Sequence, residues 1–274
     1  MRTRLHLALM LPLACLLGCT VPTTPATSSA STSLTGNWQI QSGTTITSPP
    51  TAPYLVGALQ GANSALTGTF TTSTVSGTTT SAVNYTGAIN QPAGVLELFS
   101  NTYYINLTLP AGFNTPSNGV IQWGCIPVGP GSPTCSNILE TPAVGAEIAP
   151  LNGTYTGTLT ETITSPAISK TVTLVISQST TPNSSGQFPL SGTFTWDNFD
   201  NILSSFPFVG TISGEGIYIE PTVIAVTPGP AFIITGYANP TATQITVPYL
   251  AFYPYPTVAN PPVVPVYTGT LTLQ

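Results

Sequence analysis

The sequence has few charged residues, and positively charged residues are the scarcest. Asp, Glu, Lys and Arg make up 4% of its 274 residues, only three are Lys or Arg, and there is one histidine. Such a composition argues against an ordinary cytosolic enzyme and against a chain kept disordered by its charge. Because the helix formers Lys, Arg and Glu are scarce while Thr and Pro are abundant, it also argues against a helical protein.

The N-terminus is typical of an exported protein. Arg2 and Arg4 precede an apolar stretch over residues 5–17. The stretch is too short to span a membrane as a helix and has the proportions of a secretory signal peptide.

This stretch ends in Leu16-Leu17-Gly18-Cys19, which resembles the lipobox of bacterial lipoproteins. The resemblance implies cleavage before Cys19, a diacylglycerol on its thiol and an acyl chain on its new amine. Cys15 is the poorer match, because Pro12 stands where the family prefers leucine. The alternative is a simple secretory signal with a chance cysteine.

The resemblance predicts a signal peptide over 1–18 and a membrane as partner, reached through the N-terminal lipid. Several acyl chains hold a protein on a membrane almost irreversibly. In two-membrane bacteria, Asp after the lipidated Cys signals inner-membrane retention; here the residue is Thr20, which favours the outer membrane. Residues 19–33 show no apolar periodicity and are predicted to form a solvated tether after the lipidated cysteine.

Cleavage at this site also removes most of the basic side chains. His6, Arg2 and Arg4 leave with the signal, so Lys170 alone remains against eight acids. Without an imidazole there is no Ser-His-Asp triad or Cys-His pair, and common zinc and iron sites lose their preferred ligand. One lysine does not form a nucleic-acid or phosphate site. We therefore predict no enzymatic activity, no cofactor and no nucleic-acid partner.

After Cys19, the remaining cysteines are Cys125 and Cys135. An exported chain meets an oxidising compartment, so we expect these two to form a disulfide. A redox-active pair is the alternative, but the spacing is far from CxxC.

The chain contains an internal duplication. Five groups of residues recur in the same order at a nearly constant separation. The matches are Leu34-Thr-Gly-Asn-Trp38 with Leu151-Asn-Gly-Thr-Tyr155, Ile46-Thr-Ser-Pro49 with Ile163-Thr-Ser-Pro166, Leu66-Thr-Gly-Thr-Phe70 with Leu190-Ser-Gly-Thr-Phe194, Gly87 and Ile89 with Gly210 and Ile212, and Glu97 with Glu220. They predict two copies, about 34–150 and 151–274, with a longer loop at 179–187 in the second.

Each copy has the pattern of strands and turns. Runs such as Thr171–Ser177 and Phe232–Thr235 alternate or are rich in β-formers, and Pro, Gly and Asn separate them. The prediction is an all-β protein with two tandem antiparallel repeats of about seven to eight strands, either barrels or sandwiches.

The opening Leu-x-Gly-x-Trp/Tyr, followed by Thr/Ser-Gly-Thr-Phe, resembles the start of lipocalin-like and avidin-like barrels. In those families an aromatic residue on the first strand plugs one end of the barrel. The resemblance implies a similar position for Trp38 and Tyr155 and transfers no ligand residues.

Two carboxylates, Glu97 and Glu220, occupy matched positions in the copies. Facing a barrel interior, they would contact a polar ligand; the alternative is an outward strand position or a loop cap. As residues of separate copies they are a poor catalytic pair, because glycosidase carboxyls lie about 5–10 Å apart.

Two further groups are candidate sites. Asp197 and Asp200 place oxygen ligands after Trp196 and form a weak Ca²⁺ candidate, although the EF-hand glycine and distal glutamate are missing, and an Asx-rich turn is the simpler interpretation. The aromatic residues of a Pro-rich segment would contact sugars or another protein, or they would pack in the core or between the two copies, which the pattern favours. They are Tyr249, Phe252, Tyr253 and Tyr255.

The sequence therefore favours a lipid-anchored bacterial cell-envelope protein with a non-enzymatic binding or structural role and an unknown ligand or envelope partner. Three alternatives stay open: a barrel module for a small ligand, a carbohydrate-active enzyme using carboxylates such as Asp197 and Asp200, and a surface adhesin.

Overall fold

A computed structural model describes residues 34–50, 53–62, 64–73, 81–90, 94–100, 103–108, 117–123, 139–163, 166–196, 205–222, 231–253 and 264–274. Within these ranges the regular elements are sixteen β-strands, all paired antiparallel. Strand formation follows from the abundance of Thr, Val, Ile and Tyr, whose branched or aromatic side chains suit a pleated surface.

The first eight strands close into one barrel. Strand β1 pairs with β2 on one side and with β8 on the other, so that Trp38 lies opposite Gly57 and Glu147. The strands are β1 (Gly36–Ser42), β2 (Tyr54–Ala62), β3 (Ala65–Ser73), β4 (Val83–Asn90), β5 (Val95–Phe99), β6 (Tyr103–Thr108), β7 (Ser117–Trp123) and β8 (Leu139–Ile148).

The next eight strands close into a second barrel, in which β9 pairs with both β10 and β16. The strands are β9 (Gly153–Glu161), β10 (Ser169–Gln178), β11 (Phe188–Trp196), β12 (Ser205–Ser213), β13 (Gly216–Pro221), β14 (Ala231–Ala238), β15 (Gln244–Tyr253) and β16 (Val266–Leu273). The all-β prediction is confirmed, and barrels rather than sandwiches form. Closure pairs both edges of each sheet, which suits a chain with few charges to protect them.

Four of the five duplicated sequence groups lie on corresponding strands of the two barrels; the group that begins at Ile46 and Ile163 follows the first strand of each. Trp38 and Tyr155 lie on the first strands, Phe70 and Phe194 on the third, and Glu97 and Glu220 on the fifth. Residues 63–64 connect β2 to β3, whereas 179–187 connect β10 to β11. The repeat is confirmed strand by strand, including the longer loop in the second copy.

Apolar side chains fill the interior of each barrel. Along β10, for example, Val172, Leu174 and Ile176 are buried and alternate with more exposed Thr and Val side chains. The largest fully buried aromatic side chains are Trp38, Phe70 and Tyr85 in the first barrel and Tyr155, Phe194, Trp196, Phe208 and Phe232 in the second.

The aromatic residue on the first strand of each barrel is also tied to the backbone. The Trp38 Nε1 donates a hydrogen bond to the Leu34 carbonyl at 2.9 Å. In the second barrel, the Tyr155 hydroxyl donates to the Ala242 carbonyl at 2.6 Å. Each ring is therefore held by packing and by one buried hydrogen bond.

The two barrels contact each other through a polar strip on the outer face of β1. Asn37 Nδ2 donates to the Gly214 carbonyl at 2.8 Å, and the Gly214 amide donates to Asn37 Oδ1 at 2.7 Å. Beside this pair, the Glu215 amide donates to Gln39 Oε1 at 3.1 Å. Asn37 and Gln39 are buried although they alternate along β1 with the inward-facing Trp38 and Ile40. Their amides satisfy the backbone of the β12–β13 turn, which would otherwise be buried without partners.

The longer loop of the second copy contributes to the same interface. Gly186 has a φ of +76°, and a Cβ built there would lie 2.1 Å from the Thr69 carbonyl oxygen of β3. Only glycine combines this backbone conformation with so close an approach. The insertion at 179–187 thus docks the second copy against the first.

The interface also buries a carboxyl group, and this gives a pH-dependent prediction. Glu215 is fully buried, and burial raises its pKa above the ordinary value. Ser48 and Gln39 approach the carboxyl and moderate the rise, but neither closes a hydrogen bond of good geometry. The raised pKa belongs to the folded state, in which the carboxyl holds its proton more tightly than in the unfolded chain. Its contribution to the free energy of unfolding is therefore greatest below the unfolded pKa of about 4.3 and is lost as the pH rises through the folded pKa.

We therefore expect Glu215→Gln to raise the free energy of unfolding by about 1–3 kcal/mol near pH 8 and to change it little near pH 3. Urea denaturation across this pH range measures the difference. Glu147→Gln is the control: burial also raises the pKa of that half-buried carboxyl, so its effect has the same direction and a smaller size. Equal stability of wild type and Glu215→Gln at pH 8 would contradict the assignment.

Candidate functional site

Several residues singled out from the sequence lie outside the described residues, so the lipid anchor, the disulfide and the weak Ca²⁺ site remain predictions. These residues are Cys19, Cys125, Cys135, Asp197, Asp200 and Tyr255.

Glu97 and Glu220 lie on the outer walls of their barrels. On β5, Glu97 stands between Leu96 and Leu98, whose side chains are buried inside. On β13, Glu220 follows the buried Ile219 and is exposed. Neither carboxylate faces a barrel interior, so the hypothesis that they meet a ligand there is wrong. The outward alternative is correct, because neighbouring strand residues point to opposite faces.

Each of these carboxylates meets a tyrosine hydroxyl. The Tyr218 hydroxyl donates to Glu220 Oε2 at 2.9 Å, within one strand. In the first barrel the Tyr104 hydroxyl, which accepts from Asn106 Nδ2 at 3.1 Å, is close to Glu97 on the neighbouring strand. The duplication has therefore kept the glutamate, while its tyrosine comes from a different strand position in each copy.

Burial and the neighbouring carboxylates raise the pKa of both phenols. The hydrogen bond to Glu220 raises the pKa of Tyr218, with burial and the carboxylate charge adding to it. Burial is the main cause that raises the pKa of Tyr104; the Asn106 contact lowers it and Glu97 raises it. A phenol with a raised pKa is a hydrogen-bonding group and a poor general base or nucleophile at neutral pH.

Tyr218 forms part of a groove on the outer wall of the second barrel. The strand register places Thr211, Tyr218, Thr235 and Tyr249 in one row across β12 to β15. The groove has a volume of about 230 Å³ and includes Gln187, Thr211, Ser213, Tyr218, Thr235 and Tyr237 in its lining. We call it the tyrosine groove.

The aromatic residues predicted on 248–256 divide between described and undescribed positions. Tyr249 is 39% exposed on the outer wall, as is Tyr218, so the core interpretation is wrong for this ring. Phe252 and Tyr253 lie on β15, opposite Phe232 and Ala231 of β14. Sequence reasoning found Tyr249 and Glu220 but missed Tyr218. The period-two run from Ile217 to Glu220 puts Tyr218 on the outer face, but only the register brings it beside Thr235.

A second depression lies where the two barrels meet. It has a volume of about 260 Å³, and its lining includes Glu147, Asn152, Gln178 and Phe188. Gln178 and Asn152 are used structurally: Gln178 Oε1 accepts from the Leu151 amide at 2.8 Å, and Asn152 Oδ1 accepts from the Gln178 amide at 2.9 Å. The side-chain oxygens of Asn152 and Gln178 are therefore engaged in holding the backbone of this cleft.

The described ranges hold neither a cluster of metal ligands nor a membrane-spanning helix. No three His, Cys, Asp or Glu side chains come together there to hold a metal ion. That part of the chain also contains no helix long and apolar enough to cross a membrane.

No protein-family model and no curated protein matches the chain. One solved structure, a protein of unknown function from the DUF3598 family of Nostoc punctiforme PCC 73102, aligns with 88% of this chain and 94% of its own, at 13% identity and a TM-score of 0.27. A score this low supports no conclusion about fold or function, so the candidate site depends on its geometry alone.

Proposed function

We propose that the protein is a lipid-anchored component of a bacterial cell envelope, with a non-enzymatic binding or structural role. The observation that carries this proposal is the sequence Leu16-Leu17-Gly18-Cys19 at the end of a short apolar stretch, followed by a Thr/Ser/Pro tether. Because the residue after Cys19 is Thr20, the proposed location is the outer membrane of a two-membrane bacterium.

The geometry of the two barrels supports a surface role. The described residues of their interiors include large buried apolar side chains such as Trp38 and Trp196, which gives the small-ligand barrel module no support. The matched carboxylates Glu97 and Glu220 point outward from separate barrels, and each is close to a phenol. That arrangement favours binding at the outer wall over carboxylate-dependent hydrolysis. An adhesin that displays this wall outside the cell is a variant of the same proposal.

The anchor is tested by metabolic labelling with palmitate. We expect label in the wild-type chain and none in Cys19→Ser, because the serine hydroxyl replaces the thiol that accepts the diacylglycerol. Cys15→Ser is the matched control and should be labelled like wild type. In cell fractions the Cys19→Ser chain should leave the membrane pellet. Equal labelling of wild type and Cys19→Ser would overturn the anchor.

A further inference from the structure

The tyrosine groove combines aromatic rings with neutral hydrogen-bonding groups. In one row, Tyr218 lies between Thr211 and Thr235 on the neighbouring strands. In the next row, Gly216 lies between Ser213 and Tyr237. Tyr218 and Tyr237 are therefore diagonal neighbours, a relation that separates Cα atoms by about 7–8 Å.

A glycine leaves room between these two rings. A Cβ built on Gly216 would meet only the Ser213 carbonyl oxygen, at 3.5 Å, so a side chain would fit there and its absence opens the wall. The ring of Tyr218 is held from the other side by its hydroxyl bond to Glu220. Tyr218 is thus exposed and already oriented, so its side chain loses less conformational entropy when a ligand binds.

The chemistry of this lining selects among ligands. None of the described lining residues carries a charge, and the nearby Glu220 is an acid. Anionic polymers, nucleic acids and phosphorylated headgroups need cations, and Lys170 is the one basic residue after Cys19. Hydroxyl and amide groups beside an aromatic face suit a molecule with apolar C–H faces and many hydroxyls. That description fits an uncharged sugar ring.

We propose that the tyrosine groove binds a neutral saccharide chain, with sugar rings stacked on Tyr218 and Tyr237. The hydroxyls of Thr211 and Thr235 supply hydrogen bonds to the sugar, and Glu220 accepts from the Tyr218 hydroxyl. Gln187 Oε1 accepts from Asn183 Nδ2 at 3.2 Å, so Gln187 contributes its Nε2 as a donor. The inference deepens the binding part of the proposed function, on which it rests, and does not depend on the lipid anchor.

The test measures binding of the full mature chain, purified in a detergent without a sugar headgroup, to hexasaccharides of glucose, mannose, galactose and N-acetylglucosamine by calorimetry. A galacturonic acid hexasaccharide is the anionic probe. We expect saturable binding of at least one neutral hexasaccharide and none of the anionic one. Tyr218→Ala should weaken the neutral interaction at least about tenfold, because the stacking face is lost.

Two variants separate the ring from other effects. Tyr218→Phe keeps the stacking face and loses the bond to Glu220, so its affinity should stay within about threefold of wild type. Val175→Ala shortens a side chain that is 44% exposed on β10, a strand that contributes no residue to the groove lining, and should leave the affinity unchanged. Circular dichroism and thermal unfolding show that each variant is folded.

The outcomes distinguish this inference from the proposed anchor. Failure of every neutral probe to bind, binding of the anionic probe alone, or unchanged affinity in folded Tyr218→Ala would each overturn saccharide binding. Capture of an envelope protein that requires Tyr218, without saccharide binding, would overturn it in favour of a protein contact. Palmitate labelling is independent of all these results, so the anchor stands or fails separately.

Discussion

Replacing Trp38 with alanine is expected to lower the free energy of unfolding by about 3–5 kcal/mol. The indole is 1% exposed and is the largest of the described buried side chains in the first barrel. Its removal takes away apolar contacts, leaves a cavity that a closed barrel fills poorly, and strands the Leu34 carbonyl that now accepts from Nε1. Urea denaturation followed by circular dichroism measures the loss.

Trp38→Phe separates packing from hydrogen bonding. Phenylalanine keeps most of the ring contacts and loses the hydrogen-bond donor, so we expect the free energy of unfolding to fall by about 1–2 kcal/mol. In the second barrel, Tyr155→Phe likewise removes the bond to Ala242 and should have a similar effect. A loss below about 1 kcal/mol for Trp38→Ala would mean that the indole does not support the barrel.

Replacing Asn37 with alanine is expected to cause the second large loss of stability, because it removes hydrogen bonds between the two barrels. Asn37 is 2% exposed, and its amide makes two hydrogen bonds to the backbone of Gly214. Without it, the amide and carbonyl of Gly214 are buried and unpaired, which costs about 2–4 kcal/mol. We expect this loss in urea denaturation. In limited proteolysis, a protease should also cleave this variant faster than wild type at the interface.

Asn84→Ala is the matched control. Asn84 is exposed on β4, where its Oδ1 accepts from Thr69 Oγ1 at 3.1 Å, and its loss should change stability by less than about 0.5 kcal/mol. Asn37→Asp keeps the acceptor but sets a carboxylate oxygen against the Gly214 carbonyl, so it should be at least as destabilising as alanine. Equal effects of Asn37→Ala and Asn84→Ala would show that the amide bridge does not hold the barrels together.

The number of strands in each copy and their order along the chain were predictable because the duplication shows them twice. Trp38 and Tyr155, or Phe70 and Phe194, are informative together, since matched residues must occupy matched places in each copy. The extra loop at 179–187 was visible as a change in the separation of the matches. Its role was not visible, because the contact of Gly186 with Thr69 joins residues far apart in the chain.

The candidate groove was only partly predictable. Glu220 and Tyr249 were singled out from the sequence, but alternation along one strand does not say which residues of the neighbouring strands lie beside it. Tyr218 lies beside Thr235 through the register of β13 with β14. Asn37 and Gln39 illustrate the same limit: their alternation with Trp38 predicts exposure, whereas the second barrel covers them.

The sequence by itself determined the all-β class, the two copies and their order, because composition and local periodicity act between near neighbours and a repeat shows them twice. Only the tertiary structure decided that each sheet closes into an eight-stranded barrel, which face of β5 and β13 carries the carboxylates, and where the barrels touch. The physical reason is that closure, register and docking depend on contacts between distant residues, whose energies no local pattern records.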